Sequence, residues 1–450
     1  MKPIAILFAV LFVFFSMHGA SFAQDTIESS VIINQDAYRS EGHQNKNKEK
    51  NDAYSASKQL QEPGENISDA RQTAAIENAT LRIITWDGAY RKAQEKTIFQ
   101  SFEKDQNLRL AIKNRSSLSQ DMLVALNSKK STIDILDLTY HETEQACQKD
   151  LLKPIDKAKL NISKNSNTTE EDLIDKAVHK CGVASTLWSS VIVFHKAFFK
   201  RKRRPSSLKD FFNVKRYPGK RALPNKPERV LEFALMATGV KPNNIYSTLE
   251  GEQGIQKAFD QLNKIKKHII WWSDATEPYK LLKARKVTMA MGYSGRAFAN
   301  IMQEKHPYQI IWDGQIYEMN MWAISAKSKL ENPALKFIAH ATSAKQLAGF
   351  SQWFPYGPVR KSAFQYIKTH PETGASLKEF IPTYPDNFKT ALHYEGAWWK
   401  ENKKKLDLEK RFSAWIANET YVKPASAQEQ ANKAPKKEGN ATAQNENQPR

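Results

Sequence analysis

Residues 81–90 read Leu81-Arg82-Ile83-Ile84-Thr85-Trp86-Asp87-Gly88-Ala89-Tyr90. An apolar strand runs out here into two aromatic side chains, a carboxylate and a glycine. Ligands of open α/β sheets bind outside the carboxyl ends of the strands, so Trp86, Asp87 and Tyr90 stand where a cleft is expected. The chain then alternates. Residues 97–104 have helical spacing at Ile98 and Phe102, 108–113 form a second strand, 120–128 a helix and 133–138 a short buried strand. This β-α-β-α-β order implies a parallel sheet covered by helices. Farther on, strands are expected over 183–194, 269–272, 287–293 and 319–324. Helices are expected over 230–238, 255–265, 277–284, 332–341, 345–352 and 406–416.

The flanks differ in kind from this body. Lys2, the apolar run 4–17 and the small residues before Gln24 compose a signal peptide over 1–23. Residues 24–79 read as a disordered polar leader and 421–450 as a disordered tail. The roughly 340 residues between them exceed one comfortable core and favour two domains. Two cysteines, Cys147 and Cys181, flank the polar segment 161–169. In an exported chain they are candidates for one disulfide, and two buried thiols are the alternative.

The net charge is +20, a balance that often signals nucleic acid. Export argues against a nucleic-acid partner, and the run Lys200-Arg201-Lys202-Arg203-Arg204 reads as a solvated loop before Pro205. Basicity also suits an anionic membrane surface or an acidic partner. No nucleophile elbow, HExxH, CxxC or glycine-rich phosphate loop is present, and the histidines are scattered singly. A binder is favoured over an enzyme, with no cofactor and no metal. The aromatic residues Trp86, Tyr90, Trp188, Trp271, Trp272 and Tyr293 fall at or near strand ends, where ring faces attract ammonium groups and carboxylates such as Asp87, Asp274 and Glu318 fix them. Arg296 follows Tyr293-Ser294-Gly295 at a strand end. A guanidinium there is suited to a bidentate pair with a ligand carboxylate.

Over about residues 80–420 the chain resembles the periplasmic solute-binding proteins of spermidine/putrescine-type ABC transporters. The resemblance rests on Thr85-Trp86-Asp87-Gly88-Ala89-Tyr90, on Cys181-Gly182-Val183 running to Trp188-Ser189, and on Tyr217-Pro218-Gly219-Lys220-Arg221. It continues through Trp271-Trp272, Tyr293-Ser294-Gly295-Arg296, Trp312-Asp313-Gly314-Gln315, Trp322-Ala323-Ile324 and Tyr356-Gly357-Pro358. It implies an α/β fold of the two-lobed, type II periplasmic binding class. Residues 80–185 with 320–353 would form one lobe, and 186–319 with 354–420 the other. The chain would cross between them near 185–188, 317–321 and 353–357. It also implies a periplasmic monomer that closes on a small solute and delivers it to a membrane permease.

By position, Trp86, Asp87 and Tyr90 would form the first ligand loop and Tyr293 would pack on the ligand. Polyamine binders carry aspartates where this chain has Arg296 and Asn320. The expected solute is therefore an ω-amino acid, its carboxylate on Arg296 and its amine on Glu318 or Asp87. Trp271, Asp274 and Asn320 complete the candidate site. Polyamine binding is the alternative within the class. An exported enzyme and a surface-interaction protein are the alternatives outside it.

Overall fold

The computed structural model describes residues 80–115, 124, 126–129, 131–160 and 170–419. The signal peptide, leader and tail lie outside these residues, as do the segment 161–169 and most of the helix expected at 120–128. Strand β1 (Thr80–Trp86) buries Leu81, Ile83 and Thr85 on one face and leaves Arg82 in solvent on the other, the two-residue alternation of a strand. It lies parallel to β2 (Arg109–Arg115) and to β3 (Ile135–Thr139), whose five residues are all buried. The expected parallel sheet is present.

A two-residue strand, β4 (Val178–His179), leads into β5 (Gly182–His195), which is followed by β6 (Arg221–Pro224), β7 (Ile269–Trp272), β8 (Met289–Tyr293) and β9 (Tyr308–Ile324). Short strands β10 (Gly357–Pro358) and β11 (Leu392–His393) complete one sheet of order β2-β1-β3-β9-β5-β8-β6-β7, with β4 and β10 on β5 and β11 on β9. Strands β6, β7 and β8 are mutually parallel, whereas β9 runs antiparallel to both β3 and β5.

Two main cores form along this sheet. One gathers Leu81, Phe102, Trp322, Phe337 and Phe350. The other gathers Phe194, Phe211, Phe233, Leu262 and Phe412. Both draw on the same two long strands. Val183–Leu187 of β5 and Tyr317–Ile324 of β9 serve the first core, and Ile192, Phe194, Ile311 and Ile316 serve the second.

A strand is expected over 319–324, yet β9 begins eleven residues earlier. Its first half contains Trp312-Asp313-Gly314-Gln315. In the fold this stretch loops out of the ladder without ending it: Ser190 faces Ile316, and two residues on Ile192 faces Ile311. Gly314 takes φ 70°, and a Cβ there would stand 2.5 Å from Leu208. Asp313 is satisfied from both sides, accepting from the Leu208 amide at 2.9 Å and the Thr390 hydroxyl at 2.9 Å.

Two further helices, Tyr140–Gln148 and Gly396–Lys405, are polar enough to escape the apolar period. The first still carries its start signal, a reciprocal cap between Thr139 and Glu142. Its last turn holds Cys147, which is bonded to Cys181 at the entrance to β5, with the two Cα atoms 5.8 Å apart. Tyr217-Pro218-Gly219-Lys220-Arg221 folds as a clamp, in which the fully buried Arg221 guanidinium donates to the carbonyls of Phe211, Gly219 and Tyr217 at 2.8, 2.7 and 2.6 Å.

Candidate binding cleft

The carboxyl ends of β1 and β2 supply one wall. Trp86 closes β1, and the Arg115 guanidinium, closing β2, lies 4.2 Å from its ring centre. Arg115 is held from behind by the Asp137 carbonyl at 3.1 Å and by Glu142. The Trp86 indole N–H is buried and has no partner among the described residues. Asp87 is exposed and accepts from the Asn114 side-chain amide at 2.8 Å and from the Gly88 amide at 2.7 Å.

Beneath this wall lies a buried polar knot. Tyr90 donates to Asp137 at 2.9 Å, and so do Gln94 at 2.9 Å and Thr85 at 3.0 Å. Burial pushes the Asp137 carboxyl up to about 6 despite these donors, and burial with the nearby Asp137 charge raises the Tyr90 phenol well above its usual range. Asn320 links the knot to the centre of the sheet. Its amide nitrogen donates to the Tyr90 hydroxyl at 3.1 Å, and its oxygen accepts from the Trp188 indole at 3.3 Å. Tyr90 and Asn320 therefore position other side chains and have their polar atoms engaged.

The opposite wall comes from the carboxyl ends of β6, β7 and β8. Tyr293 closes β8, with the Trp188 ring 5.6 Å away edge-on and the Trp272 ring at 6.3 Å. Arg296, in the helical turn after it, is exposed and its guanidinium has no hydrogen-bond or ion-pair partner among the described residues. The Tyr356 ring spans the two walls. It lies 6.1 Å from Tyr90, and a Cβ on Gly295 would stand 2.8 Å from its edge. Arg296 thus adjoins the cleft. Asp274, in the loop after β7, is exposed and bonded by Thr276. Those bonds hold it below the usual carboxylate range, with Arg296 adding to them.

Two expected ligand contacts are placed differently. Trp271 faces away from the cleft and packs between Phe412 at 5.6 Å and Trp415 at 5.8 Å. Successive strand residues point to opposite faces, so its neighbour Trp272 takes the cleft side. Glu318 is buried and paired with Arg229 at 2.8 Å, so its carboxylate is already neutralised. Burial pushes the Glu318 carboxyl up and Arg229 pulls it back. Arg229 is a residue that sequence reasoning missed. It sits at φ 67°, in the left-handed region, at the head of the helix Val230–Ala237. Its guanidinium lies 3.9 Å from the Tyr394 ring and 5.3 Å from that of Trp188, and its Nε has no partner among the described residues. Behind it, Glu232 is pushed up to about 7 by burial, against the Trp399 indole that donates to it at 2.6 Å.

The arrangement is a cleft with aromatic walls, one uncommitted guanidinium, two exposed carboxylates and one buried neutralised pair. Among the described residues no cluster of His, Cys, Asp and Glu is suited to hold a metal ion, and no helix is long and apolar enough to cross a membrane. A cavity of about 890 Å³ lined by Leu173, Phe364, Ile381 and Phe388 lies elsewhere and touches none of these cleft residues.

Residues 97–379 match the family described as bacterial extracellular solute-binding protein. A gamma-aminobutyric acid-binding protein of Pseudomonas aeruginosa is 30% identical over 344 residues, 76% of this chain and 93% of that protein. Among solved structures, an ABC transporter substrate-binding protein from Bradyrhizobium japonicum is 26% identical, with 75% of this chain and 99% of that one covered and a TM-score of 0.62. A spermidine/putrescine ABC transporter substrate-binding protein from Streptococcus pneumoniae, 17% identical with a TM-score of 0.60 over 75% of this chain and 99% of that one, shares the type II periplasmic binding fold.

Proposed function

Because this chain belongs to the bacterial extracellular solute-binding proteins and is the substrate-binding component of an ABC transporter, we propose that its cleft takes a zwitterionic ω-amino acid of the 4-aminobutyrate type. The observation that carries this reading is the Arg296 guanidinium, exposed beside Tyr293 and Tyr356 with no protein partner among the described residues. A planar cation so placed matches a carboxylate bidentately. Trp86, Trp188 and Tyr293 supply ring faces for the short methylene chain and its ammonium. Asp87, on the far wall from Arg296, takes the amine, and Asp274 is the second candidate. Glu318 is set aside because Arg229 already neutralises it. The curated relative that binds gamma-aminobutyric acid supports the same assignment.

A polyamine fits this cleft less well. A desolvated polycation needs paired carboxylates, and here a free arginine stands among the ring walls while the buried Glu318 is spent on Arg229. The remaining parts of the reading follow the family's architecture. A monomer exported by residues 1–23 closes residues 80–185 with 320–353 against 186–319 with 354–420 around the solute, and the closed form docks on its permease. Isothermal calorimetry with 4-aminobutyrate, 5-aminovalerate, putrescine and spermidine tests the assignment. The amino acids are expected to bind and the polyamines to be silent. Tight spermidine binding with none by the amino acids would overturn it.

A further inference from the structure

The cleft occupies one edge of the sheet formed by β5 to β9, and the opposite edge has a different character. There the parallel strands β6, β7 and β8 begin, β5 ends and β9 starts. Arg221 stands opposite Ile269 and Met289, Met289 opposite Phe194, and His195 opposite Tyr308. The segments at that edge are 196–207, 213–220, 264–268, 283–288 and 304–307. Together they carry sixteen lysines and arginines against a single acid, Glu304, which is paired with His306 at 3.0 Å. Backbone hydrogen bonds join four of them side by side. Lys196 donates to the Pro307 carbonyl at 2.8 Å, His195 to Thr288 at 3.1 Å and Thr288 to Lys220 at 2.9 Å. None of the sixteen cations has an ion-pair partner among the described residues.

The run 200–204 projects from the middle of this face. Phe199 and Pro205 are buried at its two ends, and Lys200 to Arg203 are exposed between them. Phe198, at the base of the run, is a large apolar side chain left 40% exposed. A recess of about 820 Å³, bordered by the segments 213–220 and 264–268, is ringed by Lys209, Lys215, Lys257 and Lys264, with Asp260 as its one acid. Asp260 is bonded to Gln256 at 2.9 Å.

The geometry points to this face as a docking surface for an anionic phospholipid bilayer. Charge spread over several loops matches a diffuse sheet of phosphates, and basic clusters near an anionic leaflet are attracted within a Debye length of it. An exposed aromatic ring among the cations suits the headgroup boundary, where a little buried apolar area adds to electrostatic attraction to anionic lipid. Nucleic acid would meet the same charge, but an extracellular solute-binding family places the protein beside membrane and not beside DNA. The surface lies at the other end of the strands from Tyr293 and Arg296, so lipid contact leaves the cleft unobstructed and keeps the receptor at the membrane that holds its transporter.

Vesicle flotation tests this, using phosphatidylcholine vesicles with and without phosphatidylglycerol. The protein is expected to float with phosphatidylglycerol vesicles only, and to be released by salt. Combining Lys200→Glu, Arg201→Glu, Lys202→Glu and Arg203→Glu is expected to weaken that binding at least about tenfold. Phe198→Ala is expected to weaken it a fewfold, and both variants should melt as the wild-type protein does. Wild-type binding that ignores phosphatidylglycerol, or undiminished binding by the charge-reversed protein, would overturn the inference. So would salt-sensitive binding to duplex DNA with none to either vesicle. Neither readout depends on which solute the cleft takes.

Discussion

Arg229 and Glu318 lie 89 positions apart, and no local charge pattern ties them together. Their pairing turns a buried acid from a candidate amine site into part of the scaffold. Removing one partner of a buried ion pair strands the other charge, so Glu318→Gln is expected to lower unfolding stability by about 3–5 kcal/mol. Adding Arg229→Met to that variant is expected to recover most of the loss in denaturant titrations. Arg296 is the opposite case. It is exposed and supports no packing, so Arg296→Gln should leave the melting temperature unchanged while weakening 4-aminobutyrate binding by ~30- to 100-fold in calorimetry, the loss of charge-assisted hydrogen bonds. Asp137 and Glu232, raised by burial to about 6 and about 7, give the molecule a pH signature. A carboxyl whose folded value is raised holds its proton longer when folded. Its stabilisation is full below the ordinary carboxyl range and is lost as pH climbs to the raised value. Stability should therefore fall between about pH 4 and 6 for Asp137 and between about pH 4.5 and 7 for Glu232, by roughly 1–3 kcal/mol for each group. In Glu232→Gln the fall measured by urea unfolding at a series of pH values should be smaller by that group's share.

At the level of elements, the strand ends that line the cleft were legible wherever one strand and its following turn carried the whole signal. Leu81–Tyr90 and Val287–Arg296 are such units, and both line the cleft. Trp271 and Trp272 were not separable, because only the facing direction of a four-residue strand decides which ring reaches the cleft, and that direction is set by packing against Phe412 and Trp415. The polar stretch Trp312–Gln315 hid half of β9 because its charges are satisfied by loops distant in sequence. The helix Tyr140–Gln148 could have been found from its Thr139/Glu142 capping pair, which outweighs a weak apolar period. The bond from that helix to β5 is also testable. Cys147 and Cys181 close a loop with a sequence separation of 34. Replacing both with alanine is expected to lower stability by about 2–4 kcal/mol in thermal or denaturant unfolding. The same change should leave the cleft's affinity for 4-aminobutyrate intact, since neither cysteine contacts it.

On the scale of the whole molecule, closure around a solute should be visible as a smaller radius of gyration by small-angle X-ray scattering when 4-aminobutyrate is added. Deleting residues 24–78 should not change the affinity measured by calorimetry, because every cleft group belongs to residues 86–356. The two main cores share β5 and β9, which remain hydrogen-bonded to each other from Val183–Trp322 to His195–Tyr308. Motion of one core against the other would therefore flex this paired ribbon. A ladder resists bending least where its rungs are interrupted, and those points are the register shifts between Ala184 and Thr186 and between Ser190 and Ile192. In the closure proposed above, bending would gather at these two gaps, which makes the ribbon the leaf of a hinge.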